Sequence, residues 1–307
     1  MGLIVLPLLR LIAWTYAWLP RPLRQLWSST LGTLLRLTGY RAAVVRSNLE
    51  IAYPGNSAAQ IKLRSDIFKS SYTSLANVVF EELMLLGPLK SYILRHAELR
   101  GQEHWREATQ HGKGAIFVSS HLGSWEIMAA RGAQSGIDIM IVTKHLKPEW
   151  LHQAIEKARY RCGVKATYEP RTMRDVLGQL KKGATVGFSL DQYAGPPIGV
   201  RVPFFNIPVG TLTTVAVLAK RTGAAVLPVV NYRLSNGRHI VEIRPPVVWL
   251  ADTDPAQETA LNTAAYAALL ERDVRTFPEQ WLWVHRRFKG DLSPLRPGEW
   301  SEGRVRA

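Results

Sequence analysis

The residues with the clearest chemical potential are a histidine and a glutamate five positions apart, His121 and Glu126, in the stretch SSHLGSWE. An apolar run, 114–118, precedes this stretch, and a run with helical character, 125–131, follows it. The pattern predicts a buried strand, a tight turn at Gly123 and then a helix. Because side chains five apart do not share a helix face, the two residues meet only if His121 lies in the loop and Glu126 lies about one turn inside the helix.

Placed in this way, the two side chains form a candidate general base. Glu126 would accept a hydrogen bond from one ring nitrogen of His121, and the other nitrogen would be free to take a proton from a substrate. The helix N-terminus favours the neutral imidazole that a base needs, while Glu126 favours the imidazolium that forms during the reaction. The alternative is a histidine that only caps a helix.

Two further polar residues occupy positions suited to a ligand site. Asp191 follows the apolar run 184–190, and ligand sites in open α/β sheets lie at the carboxyl ends of strands, as Asp191 and His121 then would. The alternative is that Asp191 caps a turn. The sequence RYRCG puts Arg159 near the end of a predicted helix, where it either binds phosphate or carboxylate or only complements the helix dipole.

Two other groups of side chains are weaker candidates. The stretch 279–288, EQWLWVHRRF, mixes aromatic and cationic residues near the C-terminus; its alternative is a packed tail with a solvated basic face. Glu81 and Glu82 stand near the end of a helical run over 58–86. For such carboxylates a solvated or capping role is more common than a functional one.

The sequence does not contain the motifs of several common classes of enzyme. There is no GxSxG elbow, so a serine hydrolase triad is not indicated, and there is no Walker A loop and no GxGxxG after a strand. The eight histidines show no metal-ligand spacing such as HExxH, and the single cysteine, Cys162, excludes an internal disulfide and any CxxC motif. We therefore expect neither a metal nor a cofactor.

The charge balance points to anionic partners. The 307-residue chain has a formal net charge of +15, which favours nucleic acid, anionic lipid or an acidic protein. Ten tryptophans and ten tyrosines fit a membrane interface better than a nucleic-acid reader, and we expect no nucleic-acid partner.

The N-terminus is predicted to be a membrane anchor over residues 1–22. The apolar run 3–20 is interrupted by Pro7 and Arg10, and as a helix it would be about 27 Å long, barely the hydrocarbon thickness. The basic flank that follows it would hold the body of the protein in the cytoplasm; it contains Arg21, Arg24, Arg36, Arg41 and Arg46. Since this charge follows the apolar run, an uncleaved anchor is favoured over a secretory signal. The alternative is an amphipathic helix on the membrane surface.

The remainder of the chain divides into two patterns. Residues 23–97 are predicted to be helical, over 22–53 and 58–86, and a capping box at Ser57 and Gln60 begins the second run. Beyond residue 98, strands alternate with helices, which predicts an α/β core over 98–307 with a central, mostly parallel sheet flanked by helices. We expect 23–307 to form one structural unit. The predicted strands are 115–119, 137–142, 184–190, 224–232 and 239–244. The predicted helices are 125–134, 148–162, 171–182, 211–222 and 257–276.

Five stretches resemble one known family, in its order. HLGSWE resembles the His-x4-Glu motif of the lipid A late acyltransferases, the lauroyl and myristoyl transferase group of the His-x4-Asp/Glu glycerolipid acyltransferase superfamily. Similar family motifs occur as VRSNL through Tyr53-Pro54, as Asp191-Gln192 followed by VPFF and Pro208, as the stretch 219–228, and as PEQWLWVHRRF. The departure is Tyr193, where many members have a second acid, so the exact acceptor is not carried over.

The resemblance implies a glycerolipid-acyltransferase-like fold and an enzyme on the bacterial inner membrane that faces the cytoplasm. It implies transfer of a fatty acyl chain from acyl carrier protein to a hydroxyl of a phosphorylated, acylated disaccharide. By resemblance His121 and Glu126 are the catalytic pair, and Arg159 and Asp191 are important residues that we assign to substrate binding. Direct attack by the hydroxyl on the thioester needs no acyl-enzyme, because no activated serine or cysteine is apparent.

Two other interpretations remain open from the sequence. The same chemistry on another glycolipid or phospholipid, or with acyl-CoA as donor, would use the same residues. A basic, membrane-surface binding protein without enzymatic activity explains the charge and the aromatic residues, but not the spacing of His121 and Glu126.

Overall fold

The chain forms a seven-stranded sheet with helices on both faces, and the computed structural model describes residues 2–295, with the side chains of 5–295. The helices are α1 (Gly2–Trp18), α2 (Arg21–Leu37), α3 (Ala42–Ala52), α4 (Ala58–Met84), α5 (Leu89–His96), α6 (Gln102–Thr109), α7 (Trp125–Gln134), α8 (Glu149–Arg161), α9 (Thr172–Lys181), α10 (Thr214–Thr222) and α11 (Pro255–Thr276). The strands are β1 (Ala97–Arg100), β2 (Ala115–Ser119), β3 (Ile139–Val142), β4 (Val164–Thr167), β5 (Thr185–Ser189), β6 (Gly199–Phe204), β7 (Ile207–Leu212), β8 (Ala225–Arg233) and β9 (His239–Ile243).

The large sheet has the strand order β1-β9-β8-β2-β5-β3-β4. The five strands from β8 to β4 run parallel, whereas β9 pairs antiparallel with β8 and parallel with β1. The predicted α/β fold with a mostly parallel sheet is therefore confirmed. In the central β2–β5 pair, Ser119 lies opposite Ser189, so the residues that follow both strands are neighbours at the same sheet edge.

The five predicted strands and four of the predicted helices after residue 98 are present within a few residues of their expected bounds. The prediction for 211–222 is wrong in its first residues, because β7 extends to Leu212 and pairs with β6 in a separate hairpin. The predicted helix 22–53 is two helices, since Gly39 and Arg41 have positive φ between them. The edge strands β1 and β4 were not predicted; at four residues each they are too short to show a periodic pattern.

Each face of the sheet packs against its own set of helices. The face formed by Phe117 and its neighbours is covered by α7, with α5 and the C-terminal part of α4 beyond it. On the other face, Val118 and Phe188 pack with residues of α9, α10 and α11. The hairpin of β6 and β7 packs on α11 through Val202. Successive side chains of each strand point to opposite faces of the sheet, and both faces lie in apolar surroundings, as expected for a parallel sheet.

The long helix α4 connects these two cores. Its N-terminus has the predicted capping box, in which the Ser57 hydroxyl accepts from the Gln60 N–H. Near its end the expected solvated role of Glu81 is wrong: this carboxylate is 1% exposed and accepts hydrogen bonds from the Arg233 guanidinium at 2.7 Å. His239 lies 3.2 Å from the same carboxylate. Because breaking a buried ion pair is costly, this contact fixes α4 against β8 and β9.

The N-terminal helix α1 lies against α4. The ring of Tyr16 stacks on Phe80 with centroids 4.4 Å apart, and its hydroxyl is within hydrogen-bond distance of Ser28 and Asn77. The predicted membrane-spanning anchor is not confirmed, since within residues 2–295 no helix combines the length and hydropathy that a bilayer crossing needs. The division of the chain at residues 22 and 97 stays a prediction, and residues 296–307 of the predicted core lie outside the described residues.

Candidate active site

His121 lies on the loop between β2 and α7, as the sequence predicts, and the C-terminal segment holds this loop in place. The Leu282 N–H donates to the His121 carbonyl at 3.1 Å, and the Gly123 N–H donates to the Gln280 carbonyl at 3.0 Å. Gly123 has φ +62°, and a Cβ there would lie 2.4 Å from the Asn231 carbonyl oxygen. Only glycine fits this turn, both for its backbone conformation and for its space.

The imidazole of His121 is paired with Asp191. The ring Nδ1 lies 2.8 Å from Asp191 Oδ1, and the His121 backbone N–H donates to Oδ2 at 2.9 Å. The indole N–H of Trp281 donates to the same Oδ2 at 2.8 Å. Since an ionised carboxylate can only accept, Nδ1 carries the proton and the lone pair of a neutral ring is on Nε2.

These contacts shift both ionisations. Burial would lower the pKa of His121, but the charge of Asp191 and its hydrogen bond outweigh burial and raise that pKa above its ordinary value. Burial would raise the pKa of Asp191, but the His121 imidazole and the hydrogen-bond donors around the carboxylate lower it to about 2. Asp191 is therefore ionised at neutral pH and stabilises the protonated ring.

The predicted contact between Glu126 and His121 is wrong. Glu126 does lie in the first turn of α7, but its carboxylate accepts hydrogen bonds from Arg159, from Nε to both oxygens at 3.1 Å and from Nη2 to Oε1. Its side chain is 1% exposed and that of Arg159 is 7% exposed. The planar guanidinium matches the carboxylate with parallel hydrogen bonds. The carboxylate beside the imidazole is therefore Asp191 and not Glu126.

Glu126 does not use all the hydrogen-bonding groups of Arg159, and the Tyr168 hydroxyl lies close enough to the guanidinium to interact with it. Burial would lower the pKa of Arg159, but the hydrogen bonds and charge of Glu126 raise that pKa further above its ordinary value, so the guanidinium stays charged. Within the described part of the chain, its Nη1 makes no hydrogen bond of ordinary geometry. A buried N–H group without a well-placed acceptor is costly, and the guanidinium of Arg159 lines the same cavity as His121.

Glu82 is a further carboxyl group in this cluster. Burial raises the pKa of Glu82 well above its ordinary value, and the negative charge of Glu126 raises it further, although Arg159 acts in the opposite direction. Its Oε1 has no hydrogen-bond partner among residues 2–295. A solvated role for Glu82 is therefore wrong. The sequence places it in a helical run but carries no signal that this turn of α4 approaches α7.

The loop after β5 is held by a deeply buried arginine. Nη1 of Arg287 donates to the carbonyls of Gln192 and Gly210 at 2.8 and 2.9 Å, and Nη2 donates to the Thr211 hydroxyl at 2.6 Å. Burial lowers the pKa of Arg287 to about 10. The side-chain amide of Gln192 lies 3.4 Å from His121 Nε2. The C-terminal stretch 279–288, a weak candidate from its sequence, thus supports the histidine from two sides.

A mainly apolar cavity of about 110 Å³ extends from His121 between α7 and the sheet. Its polar lining consists of side chains that include His121, Arg159, Ser119 and Ser189. His121 and Arg159 therefore line the same cavity. Its apolar lining includes Leu99, Phe117, Met128, Ile139, Ile141, Val229, Val241 and Ile243. Enclosed apolar cavities of roughly 150 Å³ in proteins stay dry and bind hydrocarbons.

A narrow crevice lies on the other side of the histidine. His121 and Trp125 border it, along with residues of α4 and of the C-terminal segment 280–284. The Trp125 ring meets the imidazole edge to face, with centroids 4.9 Å apart. His121 therefore stands between an apolar cavity and a crevice, where a base can act on one molecule while a second enters from the other side. Among residues 2–295, no three His, Cys, Asp or Glu side chains come together to hold a metal ion.

Comparisons with known proteins identify one family. The sequence model of one family, described as bacterial lipid A biosynthesis acyltransferase, matches residues 4–290. A lipid A biosynthesis lauroyltransferase of Escherichia coli is 29% identical over 283 residues, which cover 91% of this chain and 89% of the relative. A lipid A biosynthesis palmitoleoyltransferase of the same organism is 27% identical over 281 residues, with the same coverage of both chains.

A more distant relative acts on a different lipid. A phosphatidylinositol mannoside acyltransferase of Mycolicibacterium smegmatis is 24% identical over 234 residues, covering 75% of each chain. The similarity therefore extends over most of the chain in each case, and all three relatives are named as acyltransferases of lipids.

Proposed function

The chain belongs to the bacterial lipid A biosynthesis acyltransferase family, and on that premise we propose that it moves a fatty acyl chain from a thioester donor to a hydroxyl of a lipid A precursor. The observation that carries this proposal is the paired His121 and Asp191 at the mouth of an apolar cavity. A base and a place for a hydrocarbon chain are the two things that acyl transfer to a hydroxyl requires.

We propose that neutral His121 is the general base. Its Nε2 takes the proton of the acceptor hydroxyl as the oxygen attacks the thioester carbonyl, and the tetrahedral intermediate then expels the thiolate. The thiolate then takes this proton from the imidazolium. His121 returns to its neutral form, and no acyl-enzyme forms. Asp191 holds the ring through Nδ1 and stabilises the imidazolium; base catalysis of this kind contributes about 10²–10⁴-fold.

Glu126 and Arg159 have a different role in this proposal. Glu126 fixes the guanidinium by parallel hydrogen bonds, so that Nη1 of Arg159, which Glu126 does not use, binds the thioester region of the donor. Because the guanidinium lines the same cavity as His121, it is placed to stabilise negative charge on the acyl oxygen. Such preorganised donors are among the largest contributions to acyl-transfer catalysis.

The acyl chain of the donor occupies the apolar cavity, and the acceptor reaches His121 through the crevice beside α4. Gln192, which contacts Nε2 in the free protein, is the group that the acceptor hydroxyl replaces. The donor we propose is acyl carrier protein, an acidic protein, because the chain has a net charge of +15 and opposite charges increase the rate of association.

The N-terminal helices support association with a membrane surface. Each buries one face in the protein and leaves large apolar side chains exposed on the other. On α1 these are Leu8, Leu11, Trp14 and Trp18, and on α2 they are Leu23, Leu26, Leu34 and Leu37. Exposed leucines and tryptophans beside basic residues are typical of helices that lie in the membrane interface. We place the enzyme on the bacterial inner membrane, facing the cytoplasm.

A second acceptor is supported by one observation. The mannoside acyltransferase relative indicates that the same fold can acylate another glycolipid, so the same base and cavity would serve such an acceptor. The donor and the chemistry are unchanged in this alternative.

The test is an acyl-transfer assay followed by mass spectrometry. Purified protein in detergent would be given acyl carrier protein thioesters of several chain lengths and a lipid A precursor with a free hydroxyl. We expect one added acyl chain with the wild type and a loss of about 10²–10⁴-fold with His121→Ala. His111→Ala, which removes an exposed histidine, is the matched control and should retain activity. Undiminished transfer by a folded His121→Ala protein would refute the mechanism.

A further inference from the structure

A second pocket, away from the catalytic cavity, lies among the helices of the N-terminal half. It has a volume of about 340 Å³ and is bounded by α2, α3 and α4. Its charged lining consists of Arg36, Arg46, Arg64, Lys69 and Glu50. Four cations therefore face a single carboxylate within one concave surface, which we call the basic pocket.

The cations of the basic pocket outnumber the carboxylates near them, since Glu50 lines the pocket and Asp66 interacts with Lys69. Within residues 2–295, no salt bridge joins a carboxylate to Arg36, Arg46, Arg64 or Lys69. Clustered cations repel one another, and a concave surface strengthens their combined potential. A bound anion would remove this repulsion, so the pocket is complementary to negative charge.

Two of the guanidinium groups are held in place before any ligand arrives. Nη1 of Arg64 donates to the backbone carbonyls of Tyr53 and Gly55 at 2.8 and 2.6 Å. The guanidinium of Arg46 lies over the ring of Phe68, with its Cζ 5.0 Å from the ring centroid. Contacts of this kind reduce the conformational freedom that a charged side chain loses on binding.

The chemistry of the lining is suited to a phosphate group. Guanidinium groups donate in a planar fork that matches two oxygens of a phosphate, and several such groups with one lysine suit a group with three terminal oxygens. The floor of the pocket is apolar, since Leu49 and Phe68 also line it. A phosphate attached to a lipid head group satisfies both parts of this surface.

The position of the basic pocket relates it to the catalytic histidine. Residues 64–69 of α4 line the basic pocket, and residues 71–78 of the same helix line the crevice at His121. At 1.5 Å per residue the centres of these two stretches are about 12 Å apart. The α3 wall is tied to the catalytic segment as well, because Asn48 donates to the carbonyls of Trp283 and His285 at 2.7 Å.

We propose that the basic pocket binds a phosphate on the head group of the acceptor lipid while a hydroxyl of the same head group reaches His121. This inference rests on the proposed function and adds to it the recognition of the acceptor. The phosphate then fixes which hydroxyl is presented to the base, because the distance between pocket and histidine is set by α4.

The test compares two acceptors that differ only in the phosphate. Steady-state kinetics in neutral detergent would use a phosphorylated glycolipid and its phosphatase-treated form, with the double variant Arg36→Gln/Arg46→Gln. We expect the wild type to favour the phosphorylated acceptor by roughly tenfold in KM, and this ratio should fall toward one in the variant. Arg106→Gln/Arg174→Gln, which removes the same charge from exposed positions on α6 and α9, should keep the wild-type ratio.

Other outcomes separate the possible failures. Equal KM values for both acceptors with the wild type, or an unchanged ratio in the variant, would overturn the proposal while leaving acyl transfer intact. If the wild type favours the phosphorylated acceptor only when anionic phospholipid vesicles are present in the assay, the pocket is assigned to bulk lipid and the proposal is overturned. If the wild type acylates neither acceptor, the proposed function fails; calorimetric titration with inorganic pyrophosphate then tests the pocket alone, and equal binding by the wild type and the variant refutes it.

Discussion

At the residue scale, the candidate site contains two pairs of an acidic and a basic side chain. Asp191 holds the imidazole of His121, and Glu126 holds the guanidinium of Arg159. In the proposed mechanism the first carboxylate stabilises a group that changes its charge during catalysis. The second carboxylate holds a group that remains charged in that mechanism, so the proposal gives the two acids different roles.

The two acids are expected to respond differently when each is neutralised. The charge of Asp191 raises the His121 pKa against the effect of burial, so Asp191→Asn should lower that pKa and move the acid limb of the kcat/KM profile to lower pH. The plateau should also fall, by about 10²–10⁴-fold, because the ring loses the partner of its protonated form. Glu126→Gln should reduce activity without moving the limb, because the carboxylate contacts Arg159. The measurement is kcat/KM against pH; the same shift in both variants would contradict the assignment.

At the scale of elements, the sheet and α7 form the walls of the cavity at His121 that we propose for the acyl chain. Helix α4 lies along the crevice on the other side of His121. Ser119 and Ser189 are directly opposite in the β2–β5 pair, which brings His121 and Asp191 to one edge. Gly187, two residues before Ser189 and on the same cavity face of β5, leaves room that a side chain would fill.

Filling this room should shorten the acyl chain that the enzyme accepts. A Cβ at position 187 would make an ordinary contact with Ile141 Cγ2 at 3.7 Å, so Gly187→Val should be tolerated and place its methyl groups in the cavity. Each methylene of the chain that is excluded loses about 0.8 kcal/mol, or roughly fourfold in affinity. Competition between thioesters of different chain length measures the effect. Gly178→Val on α9, where a Cβ meets open space, is the control, and an unchanged chain preference at position 187 would argue against this cavity as the acyl site.

At the scale of the whole molecule, apolar and basic surfaces occur together on the N-terminal helices. The exposed leucines of α2 lie within roughly 80° of one another around the helix axis, while its opposite side buries Ser28 and Gly32 against the protein. A helix that packs on the protein by one face and exposes apolar side chains on the other has a surface of the kind that binds a membrane or another protein. The basic pocket lies beside this surface, at the end of α2 that contains Arg36.

We expect this leucine stripe to hold the enzyme on a membrane. Replacing Leu23, Leu26, Leu34 and Leu37 by serine should weaken binding to anionic vesicles at least tenfold, since burial of a leucine contributes about 1.5–3 kcal/mol. Cosedimentation with vesicles measures the change. Ile198→Ser/Val248→Ser removes exposed apolar side chains elsewhere and should bind like the wild type. If the stripe variant sediments as fully as the wild type, the stripe is not the membrane contact.

The sequence by itself determined the elements and the identity of the polar residues. Its periodicity marked the central strands, the long helix and the capping box at Ser57, because local side-chain patterns decide these features. It also singled out His121, Glu126, Arg159 and Asp191, and the structure brings all four to one region. It did not indicate that the carboxyl groups of Glu81 and Glu82 are buried, because burial depends on the elements that a helix packs against and not on the pattern of the helix itself.

The tertiary structure alone decided which residues pair. Five positions separate His121 from Glu126, whereas seventy separate it from Asp191, and a local spacing argument considers only the nearer acid. The β2–β5 register aligns the ends of two strands that are distant in the chain, and α8 brings Arg159 to Glu126 from the other side. The same long-range packing forms the basic pocket from three helices. Contacts of this kind depend on how elements stack, and the sequence of each element does not contain that information.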